Sequence, residues 1–192
     1  MKPVGVFYAT REGQTRRVAE HVAASLRQRG LEATVHNVVT QPAVKLDQYG
    51  AAIVAGSVHV GRHEAELVRF VKEHVAELGQ LPSAFLSVTL SEASAERTDT
   101  TPAEHAEFVA YVQKLVDRFF EDTGWHPRHV KPVAGALLYT KYNFLVRFVM
   151  KQIARKAGGS TDTSRDHEYT DWVALDRFVA EFTEAIPANR TR

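Results

Sequence analysis

The 192-residue sequence contains no cysteine. That excludes a disulfide framework, a thiolate metal site and a cysteine nucleophile, and it fits a reducing compartment. No apolar run approaches the roughly 20 residues a bilayer-spanning helix needs. The opening residues, MKPVGVFYATREG, lack the apolar core and small-residue cleavage site of a signal peptide. A cytoplasmic soluble protein is therefore the expectation. Acidic residues are missing between Thr123 and Thr161, where Arg128, Lys131, Lys141, Arg147, Lys151, Arg155 and Lys156 all fall. Such a block is either a solvated basic face or a surface for an anionic partner. Nucleic acid is not expected, because no aromatic platform or reading motif accompanies it. Also absent are H-E-x-x-H and the G-x-S-x-G elbow. His59 and His63 are four apart, but Gly61 between them argues for a loop, and no metal site is expected.

What is present is an alternation of strand-like and helix-like runs. Val4–Tyr8 is apolar and ends in a turn-like loop. From Gln14 to Arg29 the apolar residues Val18, Ala19, Val22, Ala23 and Leu26 form a one-sided stripe, and Gly30 stands at the C-cap. Ala33–Val38 reads as an edge strand and Ala51–Ala55 as a fully buried one. A helix carrying Val68, Val71, Val75 and Leu78 follows, then a strand at Ala84–Leu90. Ser91–Pro102 is polar and aperiodic and reads as a loop. A helix over about Ala103–Asp122 places Phe108, Val112, Leu115 and Phe119 inward, Val130–Leu138 reads as a fifth strand, and Asp171 caps a last helix at about Trp172–Ile186. Pro132 fits the fifth strand at a sheet edge or at a strand start and argues against the centre of the sheet.

This alternation predicts an α/β doubly wound, five-stranded parallel sheet in the flavodoxin-like order 2-1-3-4-5, as a single domain over residues 1–192. Ligands of such sheets sit beyond the carboxyl ends of the strands, where TREGQT and GSVHVG would converge. The first loop has neither the lysine of a triphosphate loop nor the glycine spacing of a dinucleotide loop. It runs into a helix N-terminus, with hydroxyls at Thr10 and Thr15 and a glycine at Gly13. Two readings stand: a capped strand–helix turn, or a seat for one phosphate such as that of FMN. Under the second, Glu12 should face solvent, because its carboxylate would repel the phosphate.

ATREGQTRRVAEHVA, PSAFLSV, GWHP, VAGAL, Y-x-x-x-x-R-F, GGSTDT and YTDW occur in an order that resembles the menaquinone-dependent protoporphyrinogen IX dehydrogenases, flavodoxin-like proteins of bacterial haem synthesis. The resemblance covers nearly the whole chain. It implies an FMN enzyme that takes hydrogens from protoporphyrinogen IX and passes electrons to a quinone. Carried over by position, Thr10, Arg11, Glu12, Gly13, Gln14 and Thr15 would form the phosphate loop. Ser57, Val58, His59, Val60 and Gly61 would lie along one side of the isoalloxazine, and Ser87, Val88, Thr89, Leu90 and Ser91 at the other. His59 is the one candidate for handling a proton or orienting substrate. Val60 stands near a position that carries an aromatic in related sequences, and Ser91–Pro102 is acidic where a dicarboxylate substrate would favour bases.

Between the fifth strand and the last helix, at about 139–160, lies a basic amphipathic segment that short flavodoxins lack. Tyr142, Leu145, Val149 and Ile153 form an apolar stripe widened by Phe144, Val146 and Phe148, beside Arg147, Lys151 and Arg155. This composition suits a helix at an anionic membrane surface, or a partner or homo-oligomer contact. Phe144, Arg147, Phe148, Lys151 and Arg155 would make it. The location expected is then cytoplasmic, peripheral on the inner face of the membrane. The alternatives in function are an FMN-dependent quinone reductase with another donor, an electron carrier, and a partner-binding module without flavin.

Overall fold

A computed structural model describes residues 1–156 and 159–187, without the side chains of residues 149, 150, 153, 155 and 156. The central parallel sheet is built from β1 (Val4–Ala9), β2 (Ala33–Asn37), β3 (Ala51–His59), β5 (Ser83–Thr89) and β6 (His129–Ala134), ordered β2-β1-β3-β5-β6. The two-residue β4 (Arg62–His63) only folds back antiparallel on the end of β3. With it set aside, the order is the predicted 2-1-3-4-5. β6 forms the edge, so Pro132 removes no donor that a further strand would need.

Strand residues alternate between two buried layers, as a sheet covered on both faces requires. Val6, Ile53 and Leu86 pack with Val18, Val22 and Leu26 of α1 (Gln14–Gln28) and with Leu175, Val179 and Phe182 of α7 (Trp172–Glu184). Phe7, Val54 and Phe85 face the other way. They meet Leu67 and Phe70 of α2 (Ala65–Glu73), Leu78 of α3 (Val75–Gln80) and Phe119 of α5 (Pro102–Thr123). Asp171 accepts from Ala174 N, capping α7 as its sequence position predicts.

Four local expectations are corrected. The buried strand does not stop at Ala55 but continues to His59, because Gly56 and Ser57 pair with β5 and the antiparallel return through β4 pairs Val58 with His63 and His59 with Arg62. The helix after it breaks at His74, whose Nδ1 lies 3.0 Å from Phe70 O and competes for a helical carbonyl. Ser91–Pro102 is not all loop. α4 (Leu90–Ala95) starts at once because Thr89 Oγ1 accepts from Ser91 N. α5 then starts from a capping box between Thr101 and Glu104. The fifth strand ends at Ala134. After Gly135, β7 (Ala136–Leu137) leaves the sheet to pair with β8 (His167–Glu168).

The segment after β7 is a single 3-10 turn at Tyr139–Lys141 followed by α6 (Phe144–Lys156). It is anchored through Leu137, Tyr139 and Ala154, packed against Leu90, Tyr142 and Tyr169. Among the described residues, no helix is long and apolar enough to cross a membrane.

Candidate active site at the carboxyl edge of the sheet

The ends of β1, β3 and β5 lie side by side, with Ala9 paired to Gly56 and Ser57 to Val88. Three segments therefore meet at one edge: 10–15, 57–61 and 87–91.

In the first segment Gly13 takes φ 101°, a left-handed conformation that favours glycine, and donates its N–H to Thr10 Oγ1 at 3.0 Å. Thr15, in the first turn of α1, is 1% exposed, and its hydroxyl has no hydrogen-bond partner. A buried hydroxyl left in that state costs folding free energy. Lys141 completes the loop from far along the chain: its Nζ donates to Glu12 O at 2.7 Å and lies 3.4 Å from where a Cβ on Gly13 would stand. A cation thus sits at a loop whose own sequence has no lysine. Gln14 turns away, donating to Glu168 at 2.6 Å and Thr170 at 2.9 Å, and so ties α1 to the 168–170 segment.

Glu12 does not face solvent as expected. Its side chain is 29% exposed, and its carboxylate lies 3.1 Å from His59 Nε2. Glu64, 5% exposed, approaches the same nitrogen at 3.3 Å, while Arg11 Nε reaches Glu64 at 3.3 Å and Ser57 Oγ donates to it at 3.2 Å. Neither carboxylate is aligned for a hydrogen bond to His59 Nε2, which is buried without one. The imidazole is thus held between two acids at the end of β3.

The hairpin from β3 to β4 turns through Val60 and Gly61, with φ 49° and 72°. Two-residue hairpins favour such positive angles, but a β-branched residue there is strained by roughly 1–3 kcal/mol. Val60 is also fully exposed. A strained, unpacked aliphatic beside His59 is spent surface unless something covers it.

In the third segment the side chains are mostly engaged elsewhere. Ser87 Oγ is 3.0 Å from His63 Nε2, Val88 lies in the core and Thr89 caps α4. Leu90 and Ser91 border a cavity of about 590 Å³. His63 is wedged between Phe85 and Phe119, and burial pushes its pKa down to about 3. It therefore shares no focus with His59. On α4, Glu92 is pushed up to about 7 by burial first and by Glu96 second, against the opposing pull of Lys131.

Residues 5–164 match the family model described as Flavodoxin domain. The protoporphyrinogen IX dehydrogenase (quinone) of Escherichia coli strain K12 is 33% identical over 176 residues, covering 92% of each chain. The protein of the same name from Leishmania major is 30% identical over 183 residues, covering 95% of this chain and 74% of its own. The chain belongs to this dehydrogenase family. A short-chain flavodoxin associated with a non-canonical PDU bacterial microcompartment superposes with TM-score 0.55 at 16% identity, over 97% of this chain and 100% of its own; that likeness shows the fold.

As a member of the family, the chain is a flavodoxin-fold oxidoreductase, and a flavin is the cofactor class of its domain. The carboxyl edge fits such a group. It offers an orphaned buried hydroxyl at Thr15, a left-handed glycine open to close approach, a helix N-terminus and the Lys141 ammonium. Sequence reasoning missed Lys141 and Glu64. Lys141 lay within the basic block, yet nothing in its spacing marks it as the cation that folds back over Glu12. Glu64 carries no motif at all.

Proposed function

We propose that the chain is an FMN-dependent dehydrogenase that oxidises protoporphyrinogen IX to protoporphyrin IX and delivers the electrons to a quinone. The observation that carries this reading is the 33% and 30% identity, over 92% and 95% of this chain, with relatives named for that activity. The chemistry of the first loop supports FMN within it. The Thr15 hydroxyl, backbone N–H groups of residues 14–15 and Lys141 Nζ would hold a terminal phosphate monoester, with no second phosphate to place.

A bound flavin supplies the hydride acceptor and, once reduced, the donor to the quinone. The chain's residues do the rest. Val60 and His59, at the β3–β4 hairpin, would lie along the ring. His59, with Glu12 and Glu64 on either side of its Nε2, is the side chain placed to accept the proton that oxidation of a pyrrolic N–H must release. Arg11 and Ser57 fix Glu64, so that the imidazole has one orientation.

The exposed face of α6 supports an encounter with an anionic bilayer, where a lipid-soluble quinone would be found. Phe144 and Phe148 are 84% and 63% exposed, with Leu145 beside them. Lys151 is exposed on the same helix, and the side chain of Arg155 lies outside the described residues. Arg147 departs from its expected role: it is half-buried, and its Nη2 donates to Tyr142 O at 3.2 Å. The contact face is therefore aromatic and aliphatic, with cations at its border.

Reconstitution with FMN, FAD and riboflavin separately, followed by porphyrin fluorescence under anaerobic turnover with a short-tailed quinone, tests the reading. FMN should bind most tightly and alone give full turnover. Equal affinity for riboflavin would remove the phosphate seat, and turnover without quinone would remove the acceptor.

A further inference from the structure

We infer that the cavity between α4, α5 and α6 is the seat of the electron acceptor: a neutral quinone head lies in it and the tail leads out along α6. The inference takes the acceptor's class from the proposed function and does not depend on the donor. At about 590 Å³ the cavity has the size of sites that enclose a small organic molecule. Leu90, Ala93, Phe108, Leu137 and Ala154 give it apolar walls.

Its position is the first argument. Leu90 and Ser91 follow β5 directly at the carboxyl edge, and both line the cavity. On the far side the hydroxyl of Tyr111, another lining residue, lies 3.8 Å from where a Cβ on Gly61 would stand. The cavity therefore spans from the third flavin-facing segment toward the β3–β4 hairpin. Ser91 Oγ and the Tyr111 hydroxyl are donors suited to a quinone carbonyl oxygen.

Charge decides between the two substrates. The charged lining residues among those described are Arg97, Asp99 and Glu107, and Arg97 already binds Asp99 at 2.8 and 2.9 Å. Among the described residues the balance at the rim is anionic. It opposes the carboxylates of a tetrapyrrole and is indifferent to an uncharged quinone. The exit is the third argument. Ala154 belongs to α6, so the wall of the cavity and the exposed Phe144, Leu145 and Phe148 are carried by one helix. An apolar tail leaving the cavity past Ala154 would run along that helix. In the step this geometry serves, an electron pair and two protons pass from reduced flavin to quinone, leaving oxidised flavin and quinol.

The test uses full-length FMN-loaded protein reduced anaerobically with dithionite and mixed with a decyl-tailed benzoquinone. Ala93→Phe fills the cavity and should raise the quinone concentration for half-maximal reoxidation by about tenfold or more. Calorimetric binding of the same quinone to cofactor-free protein should fall in parallel, while FMN affinity and the unfolding midpoint hold. Phe108→Ala, which opens the same cavity from another helix, should also weaken quinone binding. Quinone binding and reoxidation untouched by both variants would overturn the assignment. Unchanged quinone kinetics with slower flavin bleaching by protoporphyrinogen IX would also overturn it, by giving the cavity to the donor. Because dithionite replaces the donor, failure of the porphyrinogen to reduce the flavin would count against the proposed function alone.

Discussion

Thr15→Val separates a binding hydroxyl from a structural one. The residue is 1% exposed, and its hydroxyl meets no acceptor or donor within the protein. Valine fills nearly the same volume, so little packing is lost, and the unpartnered polar atom disappears. The cofactor-free protein should be unchanged or more stable by up to about 1 kcal/mol, since an unsatisfied buried hydroxyl costs roughly 1–3 kcal/mol and a stray water recovers part of it. If Thr15 holds the phosphate as proposed, the cofactor-bound state would lose a hydrogen bond to a charged group, worth about 1.5–3 kcal/mol, which converts to roughly 10- to 150-fold weaker FMN binding. The two effects have opposite signs. Flavin-fluorescence titration gives the affinity, and urea unfolding of the cofactor-free protein gives the stability. Thr15→Asp should go further and abolish binding, because like charges about 4 Å apart repel by about 4 kcal/mol at an effective dielectric of 20. A valine variant that binds FMN normally, or one that destabilises the cofactor-free fold, would refute the reasoning.

Three further outcomes follow from the same structure. His63, depressed to about 3 by burial, stays neutral in the fold while the unfolded chain takes up a proton below about 6.5; stability should therefore fall as pH drops through that window, by up to about 1.4 kcal/mol per unit, and His63→Gln should flatten the slope in urea titrations. Glu92, raised to about 7, acts with the opposite sign: the fold keeps its proton where the unfolded chain has lost it, so stability declines as pH rises from about 4.5 to about 7, and Glu92→Gln should remove that decline. For α6, Phe144→Ser with Phe148→Ser should weaken binding to vesicles containing anionic lipid, each exposed ring being worth about 1.5–3 kcal/mol when buried; sedimentation of vesicles reads it, and equal partition would assign the face elsewhere.

The sheet was legible because buried parallel strands announce themselves. AAIVA and AFLSV are apolar on both faces, and the 3.6-residue stripe of Val18, Val22 and Leu26 fixes α1 between its neighbours. The extension of β3 to His59 was not legible, because Ser57 is held by pairing with Val88 of β5 and Val58 and His59 by the return pairing with His63 and Arg62. α4 was hidden for a related reason: its six residues carry too little periodicity, and its start depends on one side-chain cap from Thr89. The loops of the site could be placed by topology, but their side-chain directions could not. Glu12 meets His59 from 47 positions away because two parallel strands end together, and Lys141 reaches the same loop across 129 positions. Contacts of that kind are consequences of packing and leave no local pattern.

The most direct measurement is an anaerobic single-turnover experiment. FMN-loaded protein is mixed with protoporphyrinogen IX while flavin absorbance and porphyrin fluorescence are followed together, and quinone is added once both are steady. The account predicts bleaching of the flavin with little fluorescence, since one flavin takes two of the six electrons that porphyrin formation releases, then recovery of the flavin and the main rise in fluorescence only after quinone arrives. Flavin that stays oxidised with the porphyrinogen, yet is reduced by another donor and reoxidised by quinone, would contradict it and leave a quinone reductase on the same fold.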